Sequence, residues 1–325
     1  MSSEFNLIND FFSSRQSNRS DVILSLGDDC ALVQAPENFL IAISTDTLVA
    51  GTHFLSTADP ALVAHKALSS SISDLAAMGA TPSWCSFALT IPDFYEAWLT
   101  PFCDSFFKIA NHFGIQLIGG DTTKGSLSLT LTVQGFLPKN KALKRSGAAI
   151  GDWIYVTGNL GDSKAGLSVI LDTALRKHPF AKELERRHYL STPRVLVGKM
   201  LLDIASAAID ISDGLILDIN HILERSQVGA SIDVSLLPVS PELIKFVGCI
   251  SRAWKYALSS GEEYELCFTV PDQKKKMLEQ RLVHLGVKVS CIGKIKQSGI
   301  FQLHNQGKLL NWTLDGYDHF KVKHE

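Results

Sequence analysis

The sequence predicts a two-domain α/β (α+β) protein, and three observations predict it. The chain is 325 residues long, about twice the ~150 residues of an ordinary domain. Strand-like and helix-like hydrophobic patterns alternate along both halves, as they do in mixed folds. Between the halves, residues 139–152 read KNKALKRSGAAIGD, a basic, polar, glycine-containing stretch of the kind that separates domains. Self-similarity at a period of about 20–50 residues, the mark of a repeat array, is absent.

The elements follow in order. Residues 39–47 (FLIAISTDT) are apolar and β-branched and predict a core strand. Asp59 and Pro60 open a helix that runs to about Met78, with Leu62, Val63, Ala67, Leu68, Ile72 and Leu75 near helical spacing and Gly79 as its stop. Residues 84–91 predict a strand ended by Pro92. Residues 96–113 predict a helix with Trp98, Phe102, Phe106 and Ile109 inward; Pro101 marks a kink or the true start. Two strands follow, 115–118 and 127–136. The second half opens with a strand at 153–157 and a glycine turn, GNLGDSKAG, leading into a helix. Residues 207–211 (AAIDI) predict a short buried strand. Ser212, Asp213 and Gly214 then cap a helix whose apolar face is Leu215, Ile216, Ile219, Ile222 and Leu223. Strands at 231–234, 264–270 and 288–292 and a helix at 273–285 complete the pattern. Trp153 and Tyr155 read as core residues, and Lys274–Lys276 as a solvated helix face.

Composition excludes several function classes. Hydrophobic residues are 46% and charged residues 20%, ordinary for a folded globular chain. Lys plus Arg is 31 against 33 Asp plus Glu, so the basic excess of a dedicated nucleic-acid binder is missing. No apolar run approaches the roughly 18–20 residues that span a bilayer, and MSSEFNLINDFF lacks the basic start of a signal peptide. The six cysteines are scattered without metal-ligand spacing, as expected of free thiols in a reducing cytoplasm.

The informative feature is the placement of aspartates at strand ends and glycine turns. Asp28 and Asp29 follow Gly27, Asp46 ends the first core strand, Asp74 interrupts an apolar helix, Asp121 follows Gly119–Gly120, and Asp210 and Asp213 flank a strand-to-helix junction. Singly, each is ordinary turn or cap chemistry. Convergent, they would need counterions, since two carboxylates 4 Å apart repel by about 4 kcal/mol at an effective dielectric near 20. Oxygen-only ligands favour Mg²⁺, and a carboxylate-held Mg²⁺ cluster suits phosphate binding. The GxxxxGK[ST] loop, GxGxxG, the protein-kinase motifs and GxSxG are all missing, so any nucleotide would be held mainly through metal ions.

With these residues in view, the chain resembles bacterial thiamine-monophosphate kinases, of the superfamily that includes aminoimidazole-ribonucleotide synthetase and selenophosphate synthetase. The resemblance spans the chain and rests on GDDCAL (27–32), AISTDTLVAGTHF (42–54), SDLAAMGATP (73–82), LIGGDTTKG (117–125), GDWIYVTGNLGDS (151–163), AIDISDGL (208–215), SSGEEYEL (259–266) and GYDHF (316–320). The family pattern carries GEDYEL where this chain has GEEYEL, so Glu263 is one methylene longer.

The resemblance implies transfer of the ATP γ-phosphoryl to thiamine monophosphate, giving thiamine diphosphate, the final step of that cofactor's synthesis. The transfer would be direct and in line, with no covalent nucleophile and no general base, because the acceptor is already an anionic phosphate. It implies several Mg²⁺ ions, with Asp29, Ser44, Thr45, Asp46, Asp74 and Asp121 as ligands from the first half and Asp210 and Asp213 from the second; Ser44 and Thr45 would offer hydroxyl or carbonyl oxygens. Gly120, Asp121, Arg145 and Ser212 would bind ATP: Gly120 by close backbone approach, Arg145 by its planar fork, Ser212 at a helix N-terminus. His53, Glu262 and Tyr317 would contact thiamine monophosphate, Tyr317 by stacking. Residues 1–146 would form an ATP/Mg-binding and dimerisation domain whose strands make a shared β-barrel-like core in a homodimer, and 147–325 a C-terminal α/β domain completing the active site. Two alternatives stand beside this reading: a sister ATP-dependent synthetase of the superfamily, or a non-catalytic binder of thiamine phosphates or nucleotide. Nothing before Cys30 supplies the reactive cysteine of a selenophosphate synthetase, and STDTLVAGTHF argues against aminoimidazole-ribonucleotide synthesis.

Overall fold

The computed structural model describes residues 11–12, 15, 18–282 and 285–312. Its chain divides into two compact units. The first comprises the described residues to Ala76 together with Ala80–Ala142; the second takes Ala77–Gly79 and the described residues from Leu143 onward.

In the first unit a short ribbon, β1 (Val22–Leu24) with β2 (Leu32–Val33), precedes a four-stranded sheet. The sheet holds β3 (Phe39–Val49), β4 (Thr81–Ile91), β5 (Gln116–Lys124) and β6 (Ser128–Pro138) in the order β3-β6-β4-β5. All pairs are antiparallel except β4 with β5, which are parallel. Such a pair needs a crossover, and α2 (Glu96–Phe113) provides it; α1 (Pro60–Ala77) joins β3 to β4. In α2, Leu99, Phe102, Cys103, Phe106, Phe107, Ile109 and Ala110 are buried, and Gly114 ends the helix at φ 67° by donating its N–H to the carbonyls of Ala110 and Asn111. Pro101 lies inside α2 rather than starting it. Phe87 on β4 stacks on Phe102 and Phe106, which locks helix to sheet.

Several strands run further than the sequence predicts, and two of these extensions move an aspartate. β3 continues past Thr47 to Val49, so Asp46 sits within the strand instead of ending it. β5 continues through Gly119, Gly120 and Asp121 to Lys124, so this glycine pair is strand, not turn. A Cβ on Gly120 would stand 1.9 Å from the Phe87 carbonyl oxygen, so the close approach served by this glycine is to β4 itself. The first strand is also less buried than a core strand: Phe39, Ile41 and Ile43 are 40%, 43% and 66% exposed, alternating with half-buried Ala42, Ser44 and Asp46.

The second unit is a seven-stranded sheet ordered β13-β12-β9-β11-β7-β10-β8. Its strands are β7 (Trp153–Thr157), β8 (Ala207–Asp210), β9 (Gly229–Asp233), β10 (Leu266–Val270), β11 (Val289–Lys296), β12 (Phe301–Asn305) and β13 (Lys308–Leu310). Helix α3 (Asp162–Leu171) follows β7; α4 (Ala181–Tyr189) and α5 (Val195–Leu201) precede β8; α6 (Leu215–Ser226) joins β8 to β9. Helices α7 (Pro241–Val247) and α8 (Ile250–Ser259) precede β10, and α9 (Lys275–Leu282) follows it. The core gathers Ile154, Val156, Ile209, Ile219, Ile222, Ile232 and Ile292. Strand β10 begins at Leu266, two residues after the predicted start, because Glu262 and Tyr264 adopt φ of 57° and 53°, which breaks the pleat. Among the described residues no helix is long and apolar enough to cross a membrane, and all six cysteines are unpaired.

Candidate active site

The first unit builds a carboxylate pair from two spacings. On β3, residues two apart share a face, so Ser44 and Asp46 point together toward α1. On α1, residues three apart share a face, so Ser71 and Asp74 meet them. The Ser44 hydroxyl donates to Asp74 Oδ2, and the Ser71 hydroxyl, which donates to the Ala67 carbonyl at 3.3 Å, lies close enough to Asp46 to favour its ionised form. Burial, reinforced by the charge on Asp74, pushes the Asp46 carboxyl from its ordinary 3.8 up to about 6. The two carboxylates and the Ser44 and Ser71 hydroxyls offer only oxygen ligands, the kind a hard divalent cation takes.

The other first-unit residues are placed differently. Thr45 points to the opposite face, where its hydroxyl meets Thr132 Oγ1 at 2.9 Å, so only its carbonyl could accompany Asp46. Asp29 is exposed between β1 and β2, with its N–H donating to Asp28 Oδ1 at 3.0 Å. Asp121 lies in the row Thr47–Thr130–Ala88–Asp121 across the sheet, about 14 Å from β3 at ~4.8 Å per strand. Among the described residues no three His, Cys, Asp or Glu side chains are grouped to hold one ion. His53 follows β3, and its Nδ1 accepts the Val49 N–H at 3.0 Å. The neutral ring therefore carries its proton on Nε2, as a donor. The fully buried Lys66 donates to the His53 carbonyl at 2.8 Å.

In the second unit, Asp210 is buried as the last residue of β8, and half-buried Ser212 and Asp213 follow. The N-cap of α6 is Gly214, not Ser212 or Asp213. Asp218, four residues on, reaches back and accepts the N–H groups of Asp213 (3.1 Å) and Gly214 (3.0 Å). Burial and the neighbouring Asp213 push the Asp218 carboxyl up to about 7. Sequence reasoning misses Asp218; its signal is a lone acid on the otherwise apolar buried face of α6. Arg145 is exposed, and its carbonyl accepts from Ser226 Oγ at 3.2 Å.

The segment 260–265 is laid over this junction. Glu262 and Tyr264 donate their N–H groups to the carbonyls of Ser212 (2.7 Å) and Ile211 (2.9 Å). Glu265 accepts a two-pronged contact from Arg194 and the Thr157 hydroxyl. Glu263 Oε1 accepts the N–H groups of Gly161 (2.7 Å) and Ser163 (3.2 Å). The Gly161 and Ser163 amides of the GNLGDS turn are thus taken by an internal carboxylate, whose burial pushes it up to about 8. Two surface grooves of this unit, about 650 and 550 Å³, are lined by none of the candidate residues. Tyr317 lies outside the described residues.

Residues 27–137 match the family model described as AIR synthase related protein, N-terminal domain, and residues 149–304 the corresponding C-terminal domain. The thiamine-monophosphate kinase of Escherichia coli is 51% identical over 323 residues, 98% of either chain. The crystal structure of thiamine-monophosphate kinase from Stenotrophomonas maltophilia is 38% identical, with a TM-score of 0.86 over 95% of this chain and 98% of that one. A structure of AaThiL complexed with AMPPCP and TMP is 30% identical, with a TM-score of 0.77 over 98% and 97%.

Proposed function

The chain belongs to the thiamine-monophosphate kinase family, and from that premise we propose that it carries the γ-phosphoryl group of ATP to thiamine monophosphate in one in-line step. It is a phosphotransferase whose acceptor is itself a phosphate group. The observation that carries the finer reading is the Asp46–Asp74 pair, braced by Ser44 and Ser71. Two carboxylates kept together on a helix–strand seam are a standing electrostatic cost, which a bound cation would relieve.

Ser44, Asp46 and Asp74 would hold Mg²⁺, with Asp29, Thr45 and Asp121 as further first-unit ligands and Asp210 and Asp213 as those of the second. Bound there, Mg²⁺ supplies charge neutralisation for two phosphates that otherwise repel. The remaining work falls to side chains. Arg145 extends an exposed guanidinium for ATP phosphate oxygens. Ser212 donates from the start of the α6 turn, and Gly120 and Asp121 line the nucleotide side. His53 offers its Nε2–H to the acceptor. Glu262 offers a carboxylate to the cationic thiazolium or the aminopyrimidine, and Tyr317 a ring to stack on. No side chain has to remove a proton, since the attacking oxygen is already ionised.

The exposed face of the first sheet, with Phe39, Ile41 and Ile43 on β3, is the surface we assign to a homodimer with a shared barrel-like core. Residues 1–146 and 147–325 then act as the ATP/Mg-binding and completing domains. Six unpaired thiols suit the reducing cytoplasm, where we place the enzyme.

The test of the in-line step is stereochemical. ATP made chiral at its γ-phosphorus by oxygen isotopes should give thiamine diphosphate with inverted configuration. Retention would require two displacements and a phosphoenzyme, and would refute the proposal.

A further inference from the structure

Glu262 is built to be held still. It adopts φ of 57°, a conformation non-glycine residues enter only when their surroundings impose it. Its N–H is tied to the Ser212 carbonyl at 2.7 Å. Its side chain is met by His188, whose Nε2 lies 3.4 Å from Glu262 Oε2.

His188 sits on α4 and is 2% exposed. Its other ring nitrogen, Nδ1, lies 3.0 Å from the Ser163 hydroxyl and 3.2 Å from the Ser163 carbonyl. When the hydroxyl donates to Nδ1, the neutral ring carries its proton on Nε2, facing Glu262. When the ring is protonated, Nδ1 donates to Ser163 and Nε2–H still faces Glu262. Both forms present the same donor to the carboxylate. Ser163 is itself fixed, because its N–H donates to Glu263 Oε1. Adjacent residues Glu262 and Glu263 therefore close on one serine, Glu263 directly and Glu262 through the imidazole. The frame beneath is rigid: Leu184 of α4 packs with Ala165 of α3, and Arg187 bonds Asp162 at 2.8 Å and Glu183 at 2.9 Å.

We propose that His188, oriented by Ser163, is a positioning residue for thiamine monophosphate, fixing the Glu262 carboxylate where the acceptor binds. The proposal rests on the reading of Glu262 as an acceptor-side residue. The Ser163–His188–Glu262 chain resembles a nucleophile relay in its order of groups, but Ser163 is 2% exposed and its hydroxyl is spent on the ring, so its role is to orient.

The experiment compares the full-length wild type with His188→Phe, His188→Gln, Ser163→Ala and Glu262→Gln. Steady-state constants are measured for both substrates, binding of thiamine monophosphate alone by calorimetry, and folding by thermal melting. His188→Phe should raise KM and Kd for thiamine monophosphate about ten-fold, a charged hydrogen bond's worth, with KM for ATP changed less than two-fold. His188→Gln, whose amide can reach the Nε2 position, should recover most of that loss. Ser163→Ala should fall between them. Combining His188→Phe with Glu262→Gln should add nothing beyond Glu262→Gln alone. A folded His188→Phe enzyme with unchanged acceptor KM, or Gln as poor as Phe, would overturn the positioning role while Glu262→Gln still showed a loss. Unchanged acceptor binding in Glu262→Gln would overturn the reading of Glu262 and this inference with it. If His188→Phe does not fold, the Ser163→Ala constants decide: an acceptor-specific loss supports the role, and wild-type constants overturn it.

Discussion

Replacing Asp46 by Asn should separate function from stability in one substitution. Asp46 titrates near 6 instead of 3.8, because burial and the Asp74 charge disfavour its ionised form. A raised carboxyl pKa means the folded state holds its proton longer than the unfolded state does. Stability from this group is present below the unfolded value and is lost as pH rises from about 4 to about 6. The full cost is about 2 pKa units, or about 3 kcal/mol at ~1.4 kcal/mol per unit. Asn keeps the shape but still buries an amide, and partial exposure screens the charge, so about half is recoverable, roughly 1.5 kcal/mol or 3–6 °C. In EDTA at pH 7, the Asn variant should therefore melt several degrees above wild type, and the gap should close by pH 4. Added Mg²⁺ should raise the wild-type melting temperature, as any ligand of the native state does, and raise the variant's less. Turnover should be lost. Calorimetric melting with and without Mg²⁺, beside the kinase assay, measures all of this. A variant that melts below wild type in EDTA would show that the Asp46 charge is no burden on the fold, and one that keeps more than a tenth of wild-type turnover would show that Asp46 holds no essential cation.

Four further outcomes are expected. Gly120→Ala should destabilise the first unit by well over the ~1 kcal/mol of an ordinary glycine substitution, because the new methyl meets the Phe87 carbonyl; urea unfolding within 1 kcal/mol of wild type would contradict it. Arg194→Gln should cost about 3 kcal/mol in the same assay by stranding the Glu265 carboxylate, and a neutral effect would show that pair to be dispensable. Ile43→Lys, at a 66% exposed position, should leave circular dichroism unchanged and convert the proposed dimer to monomer by light scattering; an intact dimer would remove this face as the interface. Tyr317→Ala should raise KM for thiamine monophosphate more than for ATP, and the reverse order would move Tyr317 to the nucleotide side.

Local rules read the fold well where one element satisfies them alone. The α2 stripe and its Gly114 stop, and the apolar face of α6, follow from spacing and capping. They fail where a neighbour decides. β5 runs through two glycines because β4 pairs with it along that length, which no local pattern announces. The α6 cap comes from Asp218, behind the expected Ser212 and Asp213, because the φ 120° turn at Gly214 aims two N–H groups back at the helix. In the site, the aspartates were legible as polar residues out of place. Their partners were not: Ser71, His188 and Arg194 are ordinary letters that matter through contacts made far along the chain. Asp46 and Asp74 meet because a strand period of two faces a helix period near three and a half, a coincidence visible only once the two elements are packed.

Whether this protein phosphorylates thiamine monophosphate is decided by one product assay. Purified protein is mixed with ATP, Mg²⁺ and thiamine monophosphate, and thiamine diphosphate and ADP are separated by chromatography, with EDTA and free thiamine as controls. A thiamine-monophosphate kinase should give equal amounts of both products, none in EDTA, and none from free thiamine. ADP without thiamine diphosphate, or no ADP from folded protein, would contradict it.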